Sequence, residues 1–244
     1  MMRLATLILV LGLLLLAGSA PAEQAREQAK APAAQAILLP PGAGALADAC
    51  SVGNHNAAYW TYGNWIMGGE TYAYLVNPPA EGCDCGAGFK LTRVYMMMQF
   101  GAEDAPVTFS AFAGLAEAVW DPARGAYVPG QDYCTSPTWA ISANDAGLYD
   151  IYIDLDGGCP CASTTEPYFI TFHLPNGFAW WPSAMEDNDP QAGISWYNSG
   201  FGWYDLVSDF GWWGKNIMHA DVVCCDAPVG QEKTTWGALK STWR

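Results

Sequence analysis

Eight cysteines carry the most definite chemistry in the chain: Cys50, Cys83, Cys85, Cys134, Cys159, Cys161, Cys224 and Cys225. Thiols in such numbers either oxidise to disulfides or hold a soft metal such as zinc or copper. The count is even, and every cysteine follows an export-like leader, which favours disulfides. The C-x-C spacings of Cys83-Asp84-Cys85 and Cys159-Pro160-Cys161 depart from the C-x-x-C of most zinc sites. Joining neighbours within these motifs, or within Cys224-Cys225, would close strained rings. Each is therefore expected to pair at a distance. The connectivity stays open, and a clasp from Cys50 to the Cys224-Cys225 pair is one expectation.

Oxygen-rich turns come next. Asp154 and Asp156 precede two glycines, and Asp187 and Asp189 lie in Glu186-Asp187-Asn188-Asp189. Hard cations need such oxygens, so a structural Ca²⁺ at one of these turns is an expectation, with solvated turn carboxylates as the alternative. Neither turn completes an EF-hand loop, and no other cofactor is expected. Tryptophan is the third feature, with Trp180-Trp181, Trp196, Trp203 and Trp212-Trp213 gathered in the last third. Exposed indoles stack on the C–H face of sugars, whereas buried ones fill a core. Neighbouring strand residues point to opposite faces, so one member of Trp180/Trp181 and one of Trp212/Trp213 are candidate ligand contacts.

Catalytic patterns are thin. Glu117, Asp121, Glu186 and Asp187 are the nominal carboxylates for glycoside hydrolysis, but their spacing sets no pair across a substrate. There is no G-x-S-x-G, no H-E-x-x-H and no phosphate-cradling glycine loop. His55, His173 and His219 are isolated, and His219 reads as a structural strand residue. A non-enzymatic module is expected, with a glycoside-active enzyme as the rival.

The elements that must position these residues are strands. Residues 71–76, 107–112, 138–142, 167–174, 193–197, 203–207 and 216–224 have strand composition bounded by turn residues. In residues 90–100, Thr92, Val94, Met96, Met98 and Phe100 alternate with Arg93, Tyr95, Met97 and Gln99. In residues 148–155, Tyr149, Ile151, Ile153 and Leu155 alternate with Asp150, Tyr152 and Asp154, the pattern of a sheet with one wet face. Nine or so short strands without helical periodicity predict an antiparallel β-sandwich, in jelly-roll form and stapled by disulfides; a closed barrel is the alternative.

The ends have other roles. Arg3 and the apolar residues 4–16, followed by Ala20-Pro21-Ala22, read as a signal peptide over residues 1–22, with the mature chain starting at Glu23. Ser19 stands where a lipoprotein box needs Cys, so no lipid anchor is expected. Residues 23–48 read as an Ala/Gln/Pro-rich linker with a short helix over 23–35, and residues 49–226 as the sandwich domain. Residues 227–244 read as a linker and tail. Trp236, Leu239 and Trp243 share one helical face there, with Lys240 and Arg244 beside it, as a docking element. The net charge of −14 opposes nucleic-acid or anionic-lipid partners. No segment of the mature chain is long and apolar enough to span a bilayer. Expected partners are a glycan or a surface receptor, outside the cell or at its surface.

The ordered motifs Cys83-Asp84-Cys85-Gly86-Ala87-Gly88-Phe89, Gly147-Leu148-Tyr149-Asp150-Ile151, Cys159-Pro160-Cys161, Ser195-Trp196, Gly202-Trp203-Tyr204-Asp205-Leu206 and Ala220-Asp221-Val222-Val223-Cys224-Cys225 extend over most of residues 50–226. In this combination the chain resembles an uncharacterised group of exported bacterial cysteine-containing β-sandwich proteins. The resemblance implies an extracellular accessory module and no particular activity. The Trp-Gly…Lys…Arg ending is similar to sorting or attachment tags of other exported bacterial proteins.

Overall fold

The computed structural model describes residues 28–30, 49–63, 65–155, 159–177 and 182–225. They form two antiparallel sheets packed face to face, as a β-sandwich. The first sheet contains β1 (Gln28–Lys30), β2 (Ala49–Gly53), β3 (Trp60–Tyr62), β5 (Phe89–Phe100), β9 (Gly147–Asp154), β11 (Ser183–Glu186) and β14 (Met218–Cys224). The second contains β4 (Glu70–Val76), β6 (Val107–Asp121), β7 (Ala126–Thr135), β8 (Trp139–Ala143), β10 (Tyr168–Leu174), β12 (Ser195–Asn198) and β13 (Trp203–Asp205). Strands β4, β5, β6, β9 and β10 alternate between the sheets, as in jelly-roll winding, with β7 and β8 both pairing beside β6. Residues 28–30 extend as β1 against β3, where a helix was expected.

The core follows the predicted alternation. Val94, Met96, Met98 and Phe100 of β5 and Ile151 and Ile153 of β9 face Tyr72, Ile170, Phe172, Ala113 and Leu115 of the other sheet. Burying each large apolar side chain contributes about 1.5–3 kcal/mol relative to exposure. The alternation of β5 breaks at Thr92, which was expected on the inner face. Arg93 pairs with Asp221 and Leu91 with Val222, so Thr92 is the extra residue of a bulge, and Phe89 and Leu91 take the inner positions.

Several strands lay outside the sequence reading. β6 runs to Asp121 and pairs with β7, and both continue beyond the sandwich proper. The Ala-rich stretch of β6 and the Pro129-Gly130 step of β7 carry weak strand signals. Pro129 sits where the register shifts, on an edge strand, and Gly130 leaves room for Val119, whose Cγ2 would lie 2.7 Å from an added Cβ. The hairpin backs the outer face of the second sheet, where Ala73, Ala116, Phe169 and Trp196 are buried under Ala126, Tyr127, Val128 and Trp203.

All eight cysteines are paired: Cys50–Cys83, Cys85–Cys224, Cys134–Cys159 and Cys161–Cys225. Each member of the three motifs pairs away from its neighbour, as ring strain requires. The expected clasp from Cys50 to Cys224-Cys225 is replaced by a relay. Cys50 lies opposite Val222 in the β2–β14 ladder and bonds Cys83, while Cys85, two residues on, bonds Cys224. Each bridge contributes about 2–4 kcal/mol through the unfolded chain.

Candidate functional site

The β8–β9 connection has an unusual consequence. A three-residue turn joins the strands, yet β8 pairs only with β6 in one sheet and β9 only with β5 in the other. The two arms splay, and a groove of about 390 Å³ lies between their free edges, lined by residues 139–143, 149–152 and 154. Trp139 Nε1 donates to the Asp154 carbonyl at 3.2 Å and braces the end away from the turn.

The direction of the β9 backbone follows from two bonds. Leu155 N donates to Thr92 O on the β5 side, whereas the Asp154 carbonyl faces Trp139. Along a strand these directions alternate, so Asp150, Tyr152 and Asp154 turn their N–H and C=O groups to the groove. The same three side chains form the wet face predicted from the sequence. Trp139 is 39% exposed and Tyr152 51%, so two rings remain available at the groove. Tyr149 lies edge-on to Phe100 at 5.6 Å and anchors the floor to the core.

A polar and aromatic network on the outer face of the first sheet supports β9. Arg93 Nε donates to Asp154 Oδ1 at 2.6 Å, and its guanidinium lies 4.5 Å from the centre of the Tyr152 ring. Arg93 also reaches Tyr95 Oη at 3.3 Å, and Tyr95 donates to Asp221 Oδ2 at 2.8 Å. His219 stacks on Tyr95 at 4.3 Å and sits 4.4 Å from His55. Burial, then the His55 neighbour, push the His219 pKa down to about 3, so its Nε2, 3.5 Å from Asp150 Oδ2, is neutral near pH 7 and makes no ion pair there. Asp150 has its pKa pushed up to about 6 by burial and then by Asp221, and its Oδ1 has no hydrogen-bond partner. The groove thus offers two rings and strand-edge amides and carbonyls, while the Asp150 carboxylate lies under the outer face of β5, turned toward His219.

The residues singled out from the sequence are dispersed. Trp212 is 2% exposed and packs edge-on to Trp65 at 5.2 Å, whereas its neighbour Trp213 is 49% exposed; neither lines the groove. Trp180, Trp181 and Asp156 lie outside the described residues, as do Trp236, Lys240, Trp243 and Arg244. Asp154 lines the groove through its backbone carbonyl, and its side chain pairs with Arg93. Asp187 and Asp189 come together around the Lys215 ammonium, which lies 3.5 Å from Asp187 Oδ2 and pairs with Asp189 Oδ2. Asp187 Oδ1 also accepts from the backbone N–H groups of Lys215 and Asp189, at 2.8 and 3.0 Å. The four nominal catalytic carboxylates do not converge as an acid–base pair. Glu117 is exposed, Asp121 lies 3.8 Å from Arg124, Asp187 is engaged by Lys215, and Glu186 is buried. Trp139, Tyr152, Arg93 and Tyr95 were missed as site residues, although the alternation of residues 90–100 and 148–155 had set Arg93 and Tyr95 on one face and Tyr152 on the wet face of its strand.

The chain matches no protein-family model and no curated protein. Two solved structures are similar. One contains the cysteine protease and lectin-like domains of Cwp84, a surface layer associated protein of Clostridium difficile, with TM-score 0.51 and 11% identity over 75% of this chain and 37% of that one. The other is the clostridial cysteine protease Cwp84 after propeptide cleavage, with TM-score 0.47 and 13% identity over 75% of this chain and 42% of that one. The chain spans less than half the length of either. The first likeness supports the fold, an all-β sandwich with antiparallel sheets.

Proposed function

We propose that this protein is an exported, non-enzymatic binding module that takes a glycan in the groove between β8 and β9. The observation that carries this reading is the pairing of exposed Trp139 and Tyr152 with an outward-turned strand edge in one groove. Rings supply apolar contact to sugar C–H faces, and edge amides and carbonyls supply the directional hydrogen bonds that fix orientation. Four disulfides fit an oxidising compartment and so an extracellular setting, in keeping with the leader read over residues 1–22. A domain described as lectin-like in a protein of similar fold agrees with the ligand class. Glycan-array screening of the purified domain, followed by titration of a hit, tests the reading. Trp139→Ala and Tyr152→Ala should each weaken binding by about three- to tenfold. Undiminished affinity in the double variant, or no bound glycan at all, would overturn it.

A further inference from the structure

We infer that the groove selects glycans bearing acetamido groups, such as oligomers of an N-acetylated hexosamine, with the amide held by the strand edge and its methyl on the groove floor. This rests on the reading of the groove as a glycan site and adds the chemical class of the ligand. Where the two arms part, the groove opens toward the interior of the sandwich. Its floor therefore comes from inner-face residues, Ile141 and Ala143 of β8 and Ile151 of β9. Ala143 and Ile151 belong to the buried core, and Ile141 packs against it. The β9 rim is main chain. Asp150 and Tyr152 turn N–H and C=O to the groove, and Asp154 adds an N–H, its carbonyl being taken by the Trp139 indole.

The lining offers no charge to a ligand. Among the described residues, no lysine or arginine lines the groove. Of the two aspartates that do, Asp154 pairs with Arg93 at 2.6 Å, and Asp150 turns its carboxylate toward His219. An ammonium would find no available carboxylate there, and a carboxylate or sulfate no cation, so each would lose hydration without a counter-charge. The net charge of −14 opposes an anionic ligand at longer range as well. A hydroxyl is neutral but brings nothing apolar to the floor. An acetamido group meets both surfaces. Its carbonyl and methyl branch from one carbon, so the oxygen can accept from an edge N–H while the methyl lies on Ile141 and Ile151. The amide is planar and trans, so its N–H points away from the carbonyl and is left to donate across the groove. Free strand edges recognise peptide amides by such pairing, and the N-acetyl group is the sugar substituent that reproduces that amide.

The experiment is calorimetric titration near pH 7 with four oligosaccharides of equal length: an N-acetylated hexosamine oligomer, its N-formyl counterpart, its de-N-acetylated form and a glucose oligomer. A short blocked alanine peptide serves as the control for simple strand addition. The N-acetylated oligomer should bind about tenfold or more above the glucose and de-N-acetylated oligomers. Loss of the methyl in the N-formyl form should cost about fourfold. Ile141→Thr, which makes the floor polar while keeping a β-branched residue in the strand, should lower affinity for the N-acetylated oligomer by about threefold or more and leave that for the glucose oligomer in place. The ligand series is read on the native protein, so it decides even where that variant fails to fold. Glucose or de-N-acetylated oligomers binding as tightly as the N-acetylated one, or an N-formyl form binding equally well, would overturn the inference and leave the glycan reading intact. The peptide binding as tightly as the N-acetylated oligomer would also overturn it, making the groove an acceptor for extended chains. Failure of all four oligosaccharides to bind would remove both readings.

Discussion

Glu186 should make the protein lose stability as pH rises through neutrality, and Glu186→Gln should abolish that loss. The side chain is fully buried on the inner side of β11, and neither carboxylate oxygen has a hydrogen-bond partner. Its bridge partner Asn216 is likewise buried with both side-chain polar atoms unmatched. Burial, then the neighbouring Asp187, push the Glu186 pKa up to about 8 from an ordinary 4.5. The folded protein therefore keeps a proton that the unfolded chain has released. The associated stability is full below pH 4.5 and is lost as pH rises toward 8. One proton corresponds to about 1.4 kcal/mol per pH unit, so the loss between pH 5 and pH 7 is about 2.5 kcal/mol. Glutamine keeps the shape of the protonated acid and cannot ionise. Urea unfolding with the disulfides intact, at pH 5, 6 and 7, gives the measurement. The stability difference between the variant and the native protein should grow by about 2.5 kcal/mol in favour of the variant over that range. A difference that stays constant with pH, or that grows on acidification, would refute the reasoning.

Gly214→Ala should destabilise by about 2 kcal/mol or more, because an added Cβ would lie 2.3 Å from the Asn188 amide nitrogen and 2.4 Å from Glu186 Oε2; thermal unfolding reads this out. Alkylation of the unfolded, unreduced protein should label no cysteine, and any labelled thiol would contradict the four bridges. Deleting residues 234–244 should leave the domain folded and oxidised while changing where it is retained outside the cell; a truncated chain that fails to fold would make the tail part of the domain.

The alternation of hydrophobic and polar residues revealed most of what positions the groove. It placed Ile151 and Ile153 inward and Asp150, Tyr152 and Asp154 outward, and it set Arg93 and Tyr95 on one face of the neighbouring strand. It could not reveal that β8 and β9 part company, because which strand pairs with which is decided by long-range packing. Trp139, in a short strand after Pro137, carried no local sign of bracing a groove. Tryptophan pairs drew attention instead, yet Trp212 is a core residue, since an indole of that size seals a sandwich end as readily as it meets a ligand. The cysteine motifs were informative for the same reason that they were incomplete. Ring strain is local and forbids neighbours from pairing, whereas the choice of distant partner depends on the β2–β14 ladder that brings residues 50 and 222 opposite each other.

Amide chemical-shift mapping on the ¹⁵N-labelled domain tests the glycan groove most directly. The backbone N–H groups of Asp150, Tyr152 and Asp154 face the groove, whereas those of Ile151 and Ile153 face β5. Saturation with a binding oligosaccharide should shift the first three amides and the Trp139 indole N–H, with much smaller changes at Ile151 and Ile153. Shifts centred on Trp213 and its surrounding loop, with β8 and β9 unmoved, would contradict the account.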